Sequence, residues 1–142
     1  MNKTKLFLVD DDAVFLKLLE IEFLKDDCFS VQTFATGELC IENLSKQPDV
    51  IILDYNLDGI DKNAMNGMAT FDKIKAIYPH IPIVILSSQD EIDLAVNFIS
   101  HKAFDFVVKN DSAFMRIKKA LLLLSVTKKL QRNSGFSAEI QV

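Results

Sequence analysis

Short apolar runs alternate along the chain with longer segments in which apolar residues recur every three or four positions. Runs of about four mostly apolar residues are typical of strands that are buried on both faces of a parallel sheet. The pattern predicts five strands, at Leu6–Val9, Val31–Phe34, Val50–Leu53, Ile83–Leu86 and Phe106–Val108.

A segment with helical spacing follows each of these runs. Thr36 is expected to cap the second helix and Pro79 to stop the third, and Asp111 or Ser112 is expected to cap a last, long helix that runs to about Gln131. The other helices are predicted at Ala13–Lys25, Gly37–Leu44, Met68–Tyr78 and Glu91–Ser100. The polar segment from Tyr55 to about Asn66 is predicted to be a loop.

Five successive strand–helix units predict an α/β fold, a parallel sheet with helices on both faces. The 142 residues suit one domain. We expect this domain to span residues 1–132, with residues 133–142 forming a tail or the start of a linker. In such sheets ligands bind beyond the carboxyl ends of the strands, close to the point where the strand order reverses.

Composition and charge exclude several classes of partner. Apolar residues make up 49 % of the chain, as expected for a globular domain, and the net charge of −4 argues against direct binding of nucleic acid. The apolar run after Lys5 is too short for a signal peptide, and no stretch approaches the length of a membrane span. We therefore expect a cytoplasmic protein without a membrane segment.

Reactive side chains follow four of the five predicted strands. The residues at these strand ends are Asp10, Asp11, Asp12, Asp54, Ser87, Ser88 and Lys109. Two carboxylates about 4 Å apart repel each other by roughly 4 kcal/mol at an effective dielectric constant of 20, and a divalent cation would relieve this repulsion. Hard oxygen ligands favour Mg²⁺ or Mn²⁺. Carboxylates beside a metal, a lysine and a hydroxyl also suit the acceptance of a phosphoryl group. Asp12 alone is better explained as a helix cap.

Four motifs together resemble the receiver domain of bacterial two-component response regulators. They are Val9–Asp12, Ile51–Asp54, Val84–Ser88 and Phe106–Lys109, in this order and each at a strand end. The resemblance covers roughly Lys5 to Arg132 and implies the five-stranded, flavodoxin-like (β/α)5 fold. It also implies phosphorelay signalling rather than turnover catalysis: the domain would catalyse its own phosphorylation and slow dephosphorylation.

The resemblance implies a phosphorylation site and a magnesium site. Asp54 would accept a phosphoryl group from a sensor histidine kinase or a phosphotransfer protein, and Lys109 would pair with a phosphoryl oxygen. Asp11, the carboxylate of Asp54 and the backbone carbonyl of Asn56 would bind Mg²⁺, and Asp10 would support the ion through water.

The resemblance also implies a switch. Ser87 would move toward the phosphoryl group, and Phe106 would change its rotamer at the same time. In receivers the fourth helix, fifth strand and fifth helix commonly form the dimerisation and signalling face.

Three features depart from the family pattern. The loop after Asp54 is about five residues longer than usual, with Asp58 at the place of a proline and Gly67 as the glycine near the helix. Asn110 replaces a proline that usually follows the lysine through a cis bond. A cis bond without proline costs about 3–4 kcal/mol, so either the surroundings offset this cost or the bond is trans and Lys109 is aimed differently. Ser87 replaces the commoner threonine. A receiver that binds metal and partners without efficient switching is the alternative.

Two other functions share parts of the pattern. The segment Asp54–Gly59 matches the opening of an EF-hand loop, but Met65 stands where the bidentate glutamate is expected and a strand precedes the segment. Asp10–Val14 fits the nucleophile motif of haloacid-dehalogenase-type phosphatases, which would leave Asp54 without a role.

The last helix carries two apolar stripes. Phe114, Ile117, Leu121 and Leu124 form one stripe; Met115, Leu122 and Val126 form a second, roughly 140° around the helix. The second stripe is either covered in part by the fourth helix or free to contact a second copy or an output partner. The sequence after this helix predicts no output domain, so we expect either a stand-alone receiver or the front of a longer regulator.

Overall fold

The computed structural model describes residues 3–88 and 92–133 of the chain. It contains one five-stranded parallel sheet. The strands are β1 (Thr4–Val9), β2 (Phe29–Phe34), β3 (Val50–Asp54), β4 (Ile83–Ser87) and β5 (Asp105–Val108). Their order is β2-β1-β3-β4-β5, so the strand order reverses between β1 and β3.

Helices follow each strand, as the periodicity predicts. They are α1 (Ala13–Leu24), α2 (Gly37–Glu42), α3 (Gly67–Ile77), α4 (Ile92–Ser100) and α5 (Ala113–Asn133). The predicted fold class, a parallel α/β sandwich of the flavodoxin-like type, is confirmed. The first residue predicted for α4, Glu91, lies outside the described residues.

The predicted boundaries hold to within two residues, and the differences have local causes. Helix α2 ends two residues early because Asn43 leaves the helical conformation at φ −106° and ψ 7°, and a short 3-10 helix, Leu44–Lys46, follows. Helix α3 starts at Gly67 because Asn66 caps it, with its side chain accepting a hydrogen bond from the backbone N–H of Ala69. The predicted caps Asp12 and Thr36 are confirmed.

Alternation along the strands divides the core into two layers. Leu6 and Leu8 of β1 belong to the cluster that packs against α1 and α5, whereas Phe7 and Val9 belong to the cluster on the side of α2, α3 and α4. Both faces of the central strands are thereby buried, as continuous apolar runs require. Within the described ranges, no helix has the length and apolar character needed to cross a membrane.

The division between a domain at 1–132 and a tail at 133–142 stays a prediction. Helix α5 includes Asn133, and residues 134–142 lie outside the described part of the chain.

Candidate functional site

Strands β1 and β3 bring the first carboxylates together. They are neighbours in the sheet with Val9 opposite Leu53, so Asp10 and Asp54 emerge side by side at the carboxyl edge. Both side chains are buried at 1 % exposure. One carboxylate oxygen each of Asp10, Asp11 and Asp54 lie within 4.8 Å of one another. The predicted acidic cluster therefore exists in the fold.

Lys109 extends from the end of β5 into this cluster. Its Nζ lies 2.7 Å from Oδ2 of Asp10 and 3.3 Å from Oδ1 of Asp54. The peptide bond between Lys109 and Asn110 is trans, as are the other peptide bonds of the described residues. Of the two alternatives, the bond is trans, but Lys109 still reaches both carboxylates. The backbone N–H of Lys109 donates to the carbonyl oxygen of Ser87 at 2.7 Å and holds the start of the following loop against β4.

The ring of Phe15 also contacts the ammonium group of Lys109. Nζ of Lys109 lies 4.8 Å from the centre of the Phe15 ring, a cation–π contact with the first turn of α1. Asp12 sets the direction of that turn, because its carboxylate accepts hydrogen bonds from the backbone N–H groups of Val14 and Phe15, both at 3.1 Å. The three consecutive aspartates thus divide into two site residues and a cap.

Burial and charge shape the titration of the site. Burial, followed by the nearby charge of Asp10, raises the pKa of Asp54 to about 7, although the ammonium of Lys109 acts in the opposite direction. Burial by itself would lower the pKa of Lys109, but the contact with Asp10 and the charges of both carboxylates outweigh it, so this pKa is raised. Lys109 therefore stays charged while Asp54 gains and loses a proton near neutral pH.

Several carboxylate oxygens have room for another partner. Oδ2 of Asp10 and both carboxylate oxygens of Asp54 are buried and accept no hydrogen bond of good geometry from the described residues. Their compensation comes from the ion pairs with Lys109, a single positive charge. Unsatisfied buried oxygens are costly, and a hard divalent cation would satisfy them. The residues present thus fit Mg²⁺.

Ser87 and Phe106 lie close to the site on neighbouring strands. Ser87 ends β4 and is fully buried, and Phe106 is 8 % exposed in the core cluster of its layer, with its ring centre 6.3 Å from that of Phe98. Their switching roles stay predictions, as does the metal-binding role of the Asn56 carbonyl. The side chain of Asn56 donates to Oγ of Ser88 at 3.3 Å.

The long loop between β3 and α3 also contacts the cluster. The backbone N–H of Ile60 donates to Oδ2 of Asp11 at 3.2 Å. The backbone N–H of Met65 donates to Oε2 of Glu38 at 2.9 Å, so the position that an EF-hand would give to a calcium-binding glutamate is a loop anchor. A strand, β3, leads into the loop where an EF-hand has a helix.

Sequence reasoning missed Phe15, Ile60 and Glu38. Phe15 carries a weak signal, because it lies in the first turn of the helix that follows the aspartates. Ile60 and Glu38 carry none, because one acts through its backbone and the other binds a loop that is distant in sequence.

Two features together define a class of protein. The first is an acidic cluster with a lysine beside it, at the carboxyl edge of a β2-β1-β3-β4-β5 parallel sheet. The sequence profile of the response regulator receiver domain matches residues 6–121. The chain belongs to this family, and the predicted resemblance to bacterial two-component signalling proteins is confirmed.

Individual relatives agree with this assignment. The chain is 29 % identical over 144 residues to an NtrX-like response regulator of Rickettsia felis, an alignment that covers 99 % of this chain and 29 % of the relative. It is 30 % identical over 125 residues to the DNA-binding transcriptional regulator NtrC of Escherichia coli, covering 85 % of this chain and 25 % of that protein. The chain thus spans between a quarter and a third of the length of these relatives.

Solved structures show the same fold. The signal receiver domain of a Luxo repressor protein from Vibrio parahaemolyticus superposes with a TM-score of 0.78 at 27 % identity, covering 92 % of this chain and 96 % of that one. The receiver domain of NtrX from Brucella abortus gives a TM-score of 0.68 at 27 % identity, covering 82 % and 97 % of the two chains.

Proposed function

We propose that Asp54 accepts a phosphoryl group from a phosphohistidine on a sensor histidine kinase or a phosphotransfer protein. The observation that carries this proposal is the buried Asp54 carboxylate, which shares the ammonium of Lys109 with the Asp10 carboxylate and accepts no hydrogen bond of good geometry from the described residues. Family membership supports the phosphorelay role in general.

The transfer step needs an unprotonated Asp54. A carboxylate oxygen attacks phosphorus, the P–N bond of the phosphohistidine breaks, and its electron pair stays on the imidazole, which takes up a proton. Lys109 can stabilise the negative charge of the transferred phosphoryl group, because its Nζ lies 3.3 Å from Oδ1 of Asp54 and can pair with a phosphoryl oxygen. In this proposal the domain acts as a signalling module and catalyses only its own phosphorylation and slow dephosphorylation.

Asp10, Asp11, Asp54 and the backbone carbonyl of Asn56 would hold Mg²⁺, with Mn²⁺ as a substitute. The ion would offset the charge on the phosphoryl oxygens. Asp11→Ala should weaken Mg²⁺ binding strongly in a calorimetric titration. Asp58→Ala should do so only mildly, because this half-buried loop carboxylate is outside the group that lies within 4.8 Å. Equal losses would instead place the loop carboxylate among the ligands.

Phosphorylation would change the conformations of Ser87 and Phe106 and thereby alter the surface formed by α4, β5 and α5. The second stripe of α5 is a separate exposed surface: Met115, Leu122 and Val126 are 58 %, 66 % and 46 % exposed, and Met115 and Leu122 border a groove shared with Cys28 and Phe29. Helix α4 therefore does not cover the stripe, and a homodimer through the last helix is the partner proposed for it. We further propose a cytoplasmic location and no direct contact of this domain with nucleic acid or membranes.

Intact-protein mass spectrometry after incubation with acetyl phosphate tests the assignment. The wild type should gain one labile phosphoryl group only when Mg²⁺ is present, and Asp54→Asn should gain none. If Asp54→Asn were still phosphorylated and Asp10→Asn were not, the nucleophile would be Asp10 and the phosphatase alternative would replace the receiver function.

A further inference from the structure

The loop between β3 and α3 is fixed at several points. At its base, the backbone N–H of Gly67 donates to the carbonyl oxygen of Tyr55 at 3.1 Å. Leu57 is buried in the core at 1 % exposure, and Met65 is held by Glu38 of α2 at 2.9 Å. The intervening segment therefore has limited freedom, although the side chain of Ile60 at its tip is 75 % exposed.

The tip of this loop touches the acidic cluster through its backbone. The N–H of Ile60 donates to Oδ2 of Asp11 at 3.2 Å. The approach is close, since a Cβ atom on Gly59 would lie 3.3 Å from the same oxygen. Asp11 is only half-buried, in contrast to Asp10 and Asp54, so strand packing alone does not fix its carboxylate.

We propose that the backbone N–H of Ile60 is a positioning group for Asp11, which makes the loop part of the metal site. One oxygen of each of the three carboxylates lies within 4.8 Å of the others while the hydrogen bond to Ile60 is made, so the bond is present in the assembled cluster. A hydrogen bond to a ligating carboxylate fixes its orientation, and its loss typically costs ten- to a hundredfold in metal affinity.

The inference rests on the proposed Mg²⁺ site and has a reciprocal consequence. If loop closure strengthens metal binding, metal binding must stabilise loop closure by the same factor. Mg²⁺ should therefore slow hydrogen exchange at the Ile60 amide. The phosphorylation site and the loop tip would then be energetically coupled through the metal, and a partner that approaches Asp54 would contact both.

Three substitutions in the full chain separate the backbone bond from other effects. Ile60→Pro removes the N–H and should weaken Mg²⁺ binding about tenfold in a calorimetric titration. Ile60→Ala keeps the N–H and should stay within about twofold of the wild type, which controls for the side chain. Lys62→Pro should also stay within about twofold. It stiffens the same loop at the second position of the turn closed by the Ala64 N–H and the Asp61 carbonyl, where proline is favoured.

The outcomes are distinct. An Ile60→Pro variant that binds Mg²⁺ like the wild type would overturn the inference and leave the metal site intact, and tighter binding would show that the N–H competes with the ion. If the wild type bound no Mg²⁺, both the inference and the proposed metal site would fall. Hydrogen exchange at Ile60 in the wild type, with and without Mg²⁺, is the second readout, and equal rates would also overturn the inference.

Discussion

Replacing Asp54 by asparagine should stabilise the metal-free protein, and the gain should grow with pH. Asparagine resembles the protonated acid in shape but cannot ionise. Burial and the charge of Asp10 raise the pKa of Asp54 from 3.8 to about 7. At 1.36 kcal/mol per unit, this difference corresponds to about 4 kcal/mol.

The sign follows from proton linkage. Between pH 4 and pH 7 the unfolded chain has released the proton of Asp54 while the folded chain retains it, so this group stabilises the fold fully below pH 4 and loses its contribution as pH rises to 7. At low pH the difference in unfolding free energy between Asp54→Asn and the wild type should therefore not change with pH. At pH 8 the variant should gain up to about 4 kcal/mol relative to that offset.

Urea denaturation in the presence of a chelator, at several pH values from 4 to 8, measures this difference. Asp72→Asn on α3 is the matched control, because it is the same substitution at an exposed aspartate outside the acidic cluster. A stability difference between Asp54→Asn and the wild type that does not change with pH would refute the reasoning, since it would show that the folded protein does not retain the proton of Asp54.

Three further predictions concern single contacts. Lys109→Ala should destabilise the protein by about 3–5 kcal/mol at pH 8, because it leaves the carboxylates of Asp10 and Asp54 buried without a counter-charge. The loss of stability should be smaller in an Asp54→Asn background, and equal losses in both backgrounds by urea denaturation would contradict this. Gly67→Ala should cost about 1–3 kcal/mol, since its Cβ would clash with the Tyr55 carbonyl oxygen, whereas Gly59→Ala should cost less; the reverse order of melting temperatures would be inconsistent with the packing. Leu122→Lys should reduce self-association in sedimentation with and without beryllofluoride, whereas Leu39→Lys on α2 should not; a wild type that stays monomeric at high concentration in both states would exclude the homodimer.

The fold and the central site could be predicted because both follow from strand ends. Apolar runs locate the strands, parallel strands end at one edge of the sheet, and residues that follow the runs must meet there. Asp10, Asp54 and Lys109 come together for this reason, and the order of the strands then sets their separation.

Contacts made by loop residues away from the strand ends could not be predicted. Glu38 binds the backbone of Met65, and Ile60 binds Asp11, through loop geometry that side-chain patterns do not encode. The absence of the usual proline at Asn110 left two alternatives open, a cis bond stabilised by its surroundings or a trans bond with a differently aimed lysine. The lysine reaches both carboxylates across a trans bond, since β5 and the first turn of α1 already determine where its long side chain can go.

Reductive trapping of the phosphorylated residue tests the assignment of Asp54 most directly. Borohydride converts an aspartyl phosphate to homoserine, and tryptic cleavage separates residues 47–62, which contain Asp54, from residues 6–17, which contain Asp10 and Asp11. After treatment with acetyl phosphate and Mg²⁺, fragment mass spectra should show homoserine at position 54 and at no other aspartate. Homoserine at position 10 or 11, or in neither peptide, would contradict the assignment of Asp54 as the phosphoacceptor.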